Sequence, residues 1–200
     1  MSEKQKVLVT GFDRFGYRQR PNRSSEIALP AIKNRYSDLV ETLVLPTARN
    51  IAAERLIEAI DDINPAAVVM FGISAGGKVR LEQQAKNRRF NILFPDNEGV
   101  RAVGRIRPEG PVNIAATLPL DDIYNRLQAA GVPTKLSNDA GAFVCNEVMY
   151  RALHHTSESN ASPVLPTGFI HLGNGLSNQL VEEAGLMVVD ELLRLNGSVK

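Results

Sequence analysis

The sequence predicts an α/β protein, a three-layer α/β/α sandwich built on a largely parallel central sheet. Three observations carry that expectation. Short runs rich in β-branched residues recur along the chain, amphipathic stretches of helical period separate them, and the two alternate at the spacing of strands joined by helices.

The strand candidates are VLVT at 7–10, ETLVLP at 41–46, AAVVMFG at 66–72, VPTKLS at 132–137 and TGFIHLG at 167–173. Between the second and third, Ile51, Leu56, Ile60 and Ile63 keep roughly helical spacing until Pro65 ends the pattern, which makes a β-α-β unit. A second helix is predicted after Pro119, capped by Asp121 or Asp122 and ending at Gly131. A third follows the turn at Gly141 and runs to about His155. The last spans about Ser177 to Leu195, with Leu180, Val181, Ala184, Val188, Leu192 and Leu195 facing inward. From Ile73 to Val112 no clean period appears, and Gly, Arg and Asn are frequent. Long irregular stretches in compact domains are usually functional or mobile. With no internal repeat and no low-complexity linker, residues 1–200 are expected to form a single catalytic domain, long enough to bury a core without disulfides.

The 23 basic and 22 acidic residues nearly cancel, so no long-range field recommends nucleic acid or an anionic membrane as partner. The basic residues around Tyr17 and at Arg88 and Arg89 read as local, solvated faces. One cysteine can form neither an intramolecular disulfide nor a thiolate zinc cluster, which points to a reducing compartment. The apolar run Val7 to Thr10 is too short for the core of a signal peptide, and no stretch approaches the ~20 apolar residues that span a bilayer. The expectation is a soluble, cytoplasmic protein.

Cys145 sits in SNDAGAFVCNEV, where a strand ends, a glycine turn follows and a helical pattern begins. A thiol in the first turn of a helix feels the positive end of the dipole, which favours thiolate, and the unpaired N–H groups there can hold an oxyanion. Free cysteine is also among the most buried residues, so local context alone leaves packing and catalysis equally open. Three histidines are available as its base. His154 and His155 follow Cys145 on the same predicted helix by nine and ten residues, roughly 14 Å or more along its axis. His171 remains, at the C-terminal end of a strand, the edge where active residues gather in parallel α/β sheets. An orienting acid cannot be singled out among 22 carboxylates, although Glu82 is a candidate because it follows the GISAGG turn.

Several segments together resemble the pyroglutamyl-peptidase I family of cysteine peptidases, over roughly residues 6–190. They are VLVTGFDRFG, VLPT at 44–47, FGISAGG at 71–77, EQQAKN, FPDNEG at 94–99, AGAFVCN at 140–146 and GFIH at 168–171; AGAFVCN and GFIH are the specific pieces. The resemblance implies a Glu-Cys-His triad at Glu82, Cys145 and His171, with no metal or organic cofactor. It also implies a pocket for an N-terminal pyroglutamate of small peptides, formed by Phe12, Phe15 and Phe143 with Thr47 and Asn22 nearby, and a homotetramer. A flat, neutral lactam suits aromatic walls with few polar partners. The chain departs from the family at Arg14, where proline is usual, and at Leu93, where the family commonly carries arginine; Arg88 or Arg89 is the candidate to stand in, or neither does. Two other functions compete: a thiol amidase of different acyl preference, and a non-catalytic small-ligand binder whose GISAGG turn cradles an anion. For the latter, no Gly-Lys-Ser/Thr follows the turn, and GFDRFG lacks the dinucleotide pattern.

Overall fold

The computed structural model describes residues 5–16, 20–159 and 164–198, so Tyr17 lies outside the described residues. The elements follow in order as β1 (Val7–Phe12), α1 (Leu29–Arg35), β2 (Val40–Leu45), α2 (Arg49–Ile63), β3 (Ala67–Ser74), β4 (Val79–Glu82), β5 (Gln84–Lys86), β6 (Arg89–Phe90), β7 (Val103–Gly104), β8 (Asn113–Ala115), α3 (Leu120–Ala129), β9 (Thr134–Ser137), α4 (Val144–Glu158), β10 (Thr167–Gly173) and α5 (Asn178–Leu195). A π-helical turn at Ser24–Ala28 leads directly into α1.

Six strands form the central sheet in the order β2-β1-β3-β10-β4-β9. The first four run parallel, whereas β4 lies antiparallel to β10 and parallel to β9. Every residue of β1 and β10 is buried, as befits strands covered on both faces. Alternate side chains divide between two cores. Val7 and Val9, Val69 and Phe71, Val79 and Leu81, and Ile170 and Leu172 pack with α1, α3 and α5 on one face. Leu8, Val68, Met70 and Phe169 pack with α2 and α4 on the other. The expected three layers are present.

All five expected strands are there, and the helix over 47–64 is α2, closed by Asn64 in the left-handed conformation just before Pro65. Ser177 caps α5 by accepting a hydrogen bond from the Leu180 N–H. Three expectations need correction. The N-cap of α3 is Pro119, and Asp121 and Asp122 lie inside its first turn, where they favour the helix dipole without capping. Leu195 is 46% exposed at the frayed end of α5 rather than facing inward. The stretch from Ile73 to Val112 is not one irregular loop: it supplies β4 to the central sheet and strands to two small hairpin-like pairs, β5 with β8 and β6 with β7. These strands are two to four residues long, so even the alternation of β4, VRLE, is too brief to stand out from the sequence around it.

Candidate active site

Strand parity places the candidate side chains of β10 and β4 on one face. In β10, His171 shares its side with Phe169, which packs toward α4; in β4, Glu82 and Arg80 alternate with the opposite-facing Val79 and Leu81. The antiparallel register sets His171 across from Arg80 and Glu82 across from Phe169, so His171 and Glu82 are diagonal neighbours. The His171 Nδ1 lies 2.8 Å from Glu82 Oε1, and both side chains are buried. Arg80 Nε stands 3.2 Å from the same oxygen, while its Nη2 donates to Ser137 Oγ at 2.8 Å and to the Asp139 carbonyl. An arginine thus anchors the acid that faces the imidazole.

Cys145 is the second residue of α4. Gly141, at φ +86°, makes a turn open to glycine at little cost, and Phe143 is extended at the N-cap. Cys145 is partly exposed, and its sulfur packs toward Gly72, the β3 residue paired with His171. A Cβ at Gly72 would come within 2.7 Å of the Phe169 ring and 3.3 Å of Cys145 Sγ. Glycine here lets the helix start settle against the sheet. Burial disfavours the His171 imidazolium, but hydrogen bonds and charge interactions with Cys145 and Glu82 outweigh it, raising its pKa to about 9. The imidazolium is therefore the form present at neutral pH.

Beside this constellation lies a cavity of about 920 Å³, lined by Phe15, Gly16, Arg20, Phe90, Asn91, Phe94, Pro95, Asp96, Asn97, Gly99 and Phe143. Phe15 and Phe143 meet edge to face with ring centroids 5.2 Å apart. Of the five residues expected around a lactam, these two line the cavity. Phe12 is buried in the core, 6.2 Å from Phe169, whose ring is in turn 4.7 Å from His171. The Asn22 side-chain oxygen accepts from the Ser24 N–H and Oγ, and the Thr47 N–H donates to Asp13 Oδ1 at 2.7 Å. Neither lines the cavity.

The sequence matches the family described as pyroglutamyl peptidase over residues 5–194. The chain belongs to the pyroglutamyl peptidase family. Among its relatives, pyrrolidone-carboxylate peptidase 1 of Caldanaerobacter subterraneus subsp. tengcongensis is 35% identical over 170 residues, covering 84% of this chain and 81% of the relative. The pyrrolidone-carboxylate peptidase of Pyrococcus furiosus is 34% identical over 183 residues, covering 90% and 86%. Among solved structures, a mutant pyrrolidone carboxyl peptidase from P. furiosus superposes with a TM-score of 0.83 at 29% identity, over 95% of this chain and 99% of that one. Pyroglutamyl peptidase I of Bacillus amyloliquefaciens gives 0.81 at 27%, over 93% and 95%.

Against the family pattern, Leu93 is 75% exposed at the tip of the 90–99 loop. Arg88 is paired with Asp139, and Arg89 donates to the Ile106 carbonyl and faces Glu147; neither lines the cavity, where Arg20 is the arginine among the described residues. Sequence reasoning missed Arg80, whose signal was the two-residue alternation with Glu82. It also missed a buried ionic group. Arg49 Nη1 donates to Glu147 Oε2 at 2.8 Å, Arg49 Nε lies 3.4 Å from Asp96 Oδ2, and Asp96 also accepts from the Arg49 N–H. No spacing rule pairs residues on α2, on a loop and on α4.

Proposed function

We propose that this chain, as a single catalytic domain, removes N-terminal pyroglutamate from peptides by acyl transfer, with Cys145 as nucleophile, His171 as acid and base, and Glu82 orienting the imidazole. The observation that carries the reading is the Glu82–His171 hydrogen bond on the sheet face beneath the Cys145 turn. The Cys145 thiolate attacks the carbonyl carbon of the pyroglutamyl residue, and the carbonyl oxygen becomes an oxyanion. Free N–H groups at the start of α4 are the natural donors to it. His171 gives its proton to the departing amine as the C–N bond breaks, leaving a thioester and a neutral imidazole. That imidazole takes a proton from water, whose oxygen attacks the thioester; collapse expels the thiolate and restores the imidazolium.

Phe15 and Phe143 supply the aromatic walls for the lactam, with Phe12 behind them and Asn22 and Thr47 fixing the adjoining turns. Asp96 is the carboxylate of the lining, and its oxygens are already engaged by Arg49 and by the Glu98 and Val100 N–H groups. A free α-ammonium would find no uncommitted counter-charge among the described lining residues, which favours a blocked, neutral terminus. A thiol nucleophile works in a reducing compartment, which fits the cytoplasm. The test is hydrolysis of a pyroglutamyl chromogenic amide by the purified protein and by Cys145→Ala. No turnover by the unmodified protein, or equal turnover by the variant, would overturn the reading. Faster cleavage of another aminoacyl amide would assign a different acyl preference.

A further inference from the structure

The loop from Phe90 to Gly99 carries more aromatic surface than a lactam pocket requires. Phe90 is 59% exposed and Phe94 69% exposed, and both line the same cavity as Phe15 and Phe143. Single exposed aromatics are ordinary, but this loop is fastened at both ends to the segment that starts the helix carrying Cys145, from Ala142 to Glu147. At one end the Phe90 N–H donates to the Ala142 carbonyl at 2.8 Å. Asn146, the residue after Cys145, accepts from the Lys86 N–H and donates to the Lys86 and Arg88 carbonyls. At the other end Asp96 is held by Arg49, which is held by Glu147 of the same helical turn. Two aromatic side chains therefore project from a backbone whose position relative to the nucleophile is set before substrate arrives, which lowers the ordering cost of binding.

Ligand cavities usually measure roughly 300–1,000 Å³, so a cavity of about 920 Å³ is far more than one five-membered ring fills. With the wall of Phe15 and Phe143 assigned to the ring in the reading above, Phe90 and Phe94 are the further aromatic residues of the same cavity. We propose that Phe90 and Phe94 form the leaving-group side of the cleft, and that the preferred substrates are pyroglutamyl peptides whose next residue is large and apolar. This rests on the pyroglutamyl-peptidase reading above. A phenylalanine or leucine side chain there leaves water for an aromatic wall; a glycine gains nothing, and an aspartate is desolvated beside the rings.

The experiment compares kcat/KM for pyroglutamyl peptides of one length carrying Phe, Leu, Gly or Asp after the pyroglutamyl residue, using the full chain, Phe90→Ala and Phe94→Ala. The unmodified protein is expected to favour Phe and Leu over Gly by on the order of tenfold or more, and each variant to bring that ratio toward one. Equal rates for all four peptides would overturn the proposal, as would selectivity surviving in both variants. A preference for Asp would assign this side of the cleft to Arg20 and also overturn it. Light scattering gives a further arm: smaller assemblies for both variants with unchanged selectivity would assign the aromatic surface to a second copy of the chain. Failure to cleave any of the peptides would sink the enzymatic reading itself, whereas cleavage without selectivity sinks only the subsite.

Discussion

His171 and Glu82, 89 residues apart in sequence, meet at 2.8 Å because β4 enters the sheet against the direction of β10. The acid reaches the imidazole diagonally across two adjacent strands, and Arg80 from the same strand holds the acid. Cys145→Ala and His171→Ala should each lower kcat/KM by on the order of 10⁴-fold or more, and the double variant should lose little beyond either, since the two act as one unit. Glu82→Gln should cost less, roughly 10²–10⁴-fold. Steady-state kinetics with circular dichroism as a folding control check this; a fully active Glu82→Gln removes Glu82 from the triad.

The His171 pKa, raised to about 9 against an ordinary 6.5, predicts an alkaline limb. Activity that requires the imidazolium should fall as pH rises through about 9. The sign for stability follows from the same shift: the folded state holds the proton more tightly than the unfolded one. The stabilisation is therefore complete below about pH 6.5 and disappears as pH rises through about 9. The Tm difference between the unmodified protein and His171→Gln should narrow over that window. An alkaline limb near pH 7 would contradict the assignment.

Pyroglutamyl amides should be cleaved far faster than glutaminyl amides of the same leaving group. Desolvating an unpaired ammonium costs several kcal/mol after relaxation, which corresponds to roughly 10³-fold in kcat/KM. Comparable values for the two amides would disprove the assignment of the aromatic cavity to a neutral ring.

Iodoacetamide should label native Cys145 at neutral pH, because the side chain is partly exposed and stands beside a protonated imidazole. The sequence has one cysteine, so the label site is unambiguous. Label and loss of activity should rise together, a pyroglutamate-like competitor should slow both, and His171→Ala should slow labelling. Protein that reacts only when unfolded would return Cys145 to the core.

The Arg49–Glu147 pair is fully buried, so removing one partner leaves the other's charge with only its longer contact, Asp96 at 3.4 Å for Arg49 and Arg89 at 3.7 Å for Glu147. Glu147→Met alone or Arg49→Met alone should destabilise by ~3–5 kcal/mol, whereas the double replacement should cost much less than the sum. Urea unfolding of the four proteins measures the coupling; additive losses would mean that the two charges do not support each other.

Of the five strands legible in the sequence, β1, β3 and β10 carry apolar runs buried almost throughout, whereas β2 and β9, nearer the sheet edges, are buried at their ends and more open between. β4 was hidden because Arg80 and Glu82 interrupt it with charges that belong to the site. Cys145 and His171 were legible from a glycine turn before a helix and from the end of a strand. Glu82 could not be chosen by spacing, because its partner is fixed by a strand register that no local pattern encodes. Phe90, Phe94 and the Arg49 group escaped for the same reason: each depends on which distant elements the fold brings side by side.

Although β10 follows every other strand in the sequence, it occupies the interior of the sheet, between β3 and β4. Neither neighbour can reach its final partner until residues 167–173 have been synthesised and inserted. A chain emerging from the ribosome therefore presents Cys145 without its imidazole, and Glu82 without the group it faces. The strand that brings His171 to Glu82 is the same one that joins β3 to β4, so closure of the sheet and the meeting of those two side chains are one structural event.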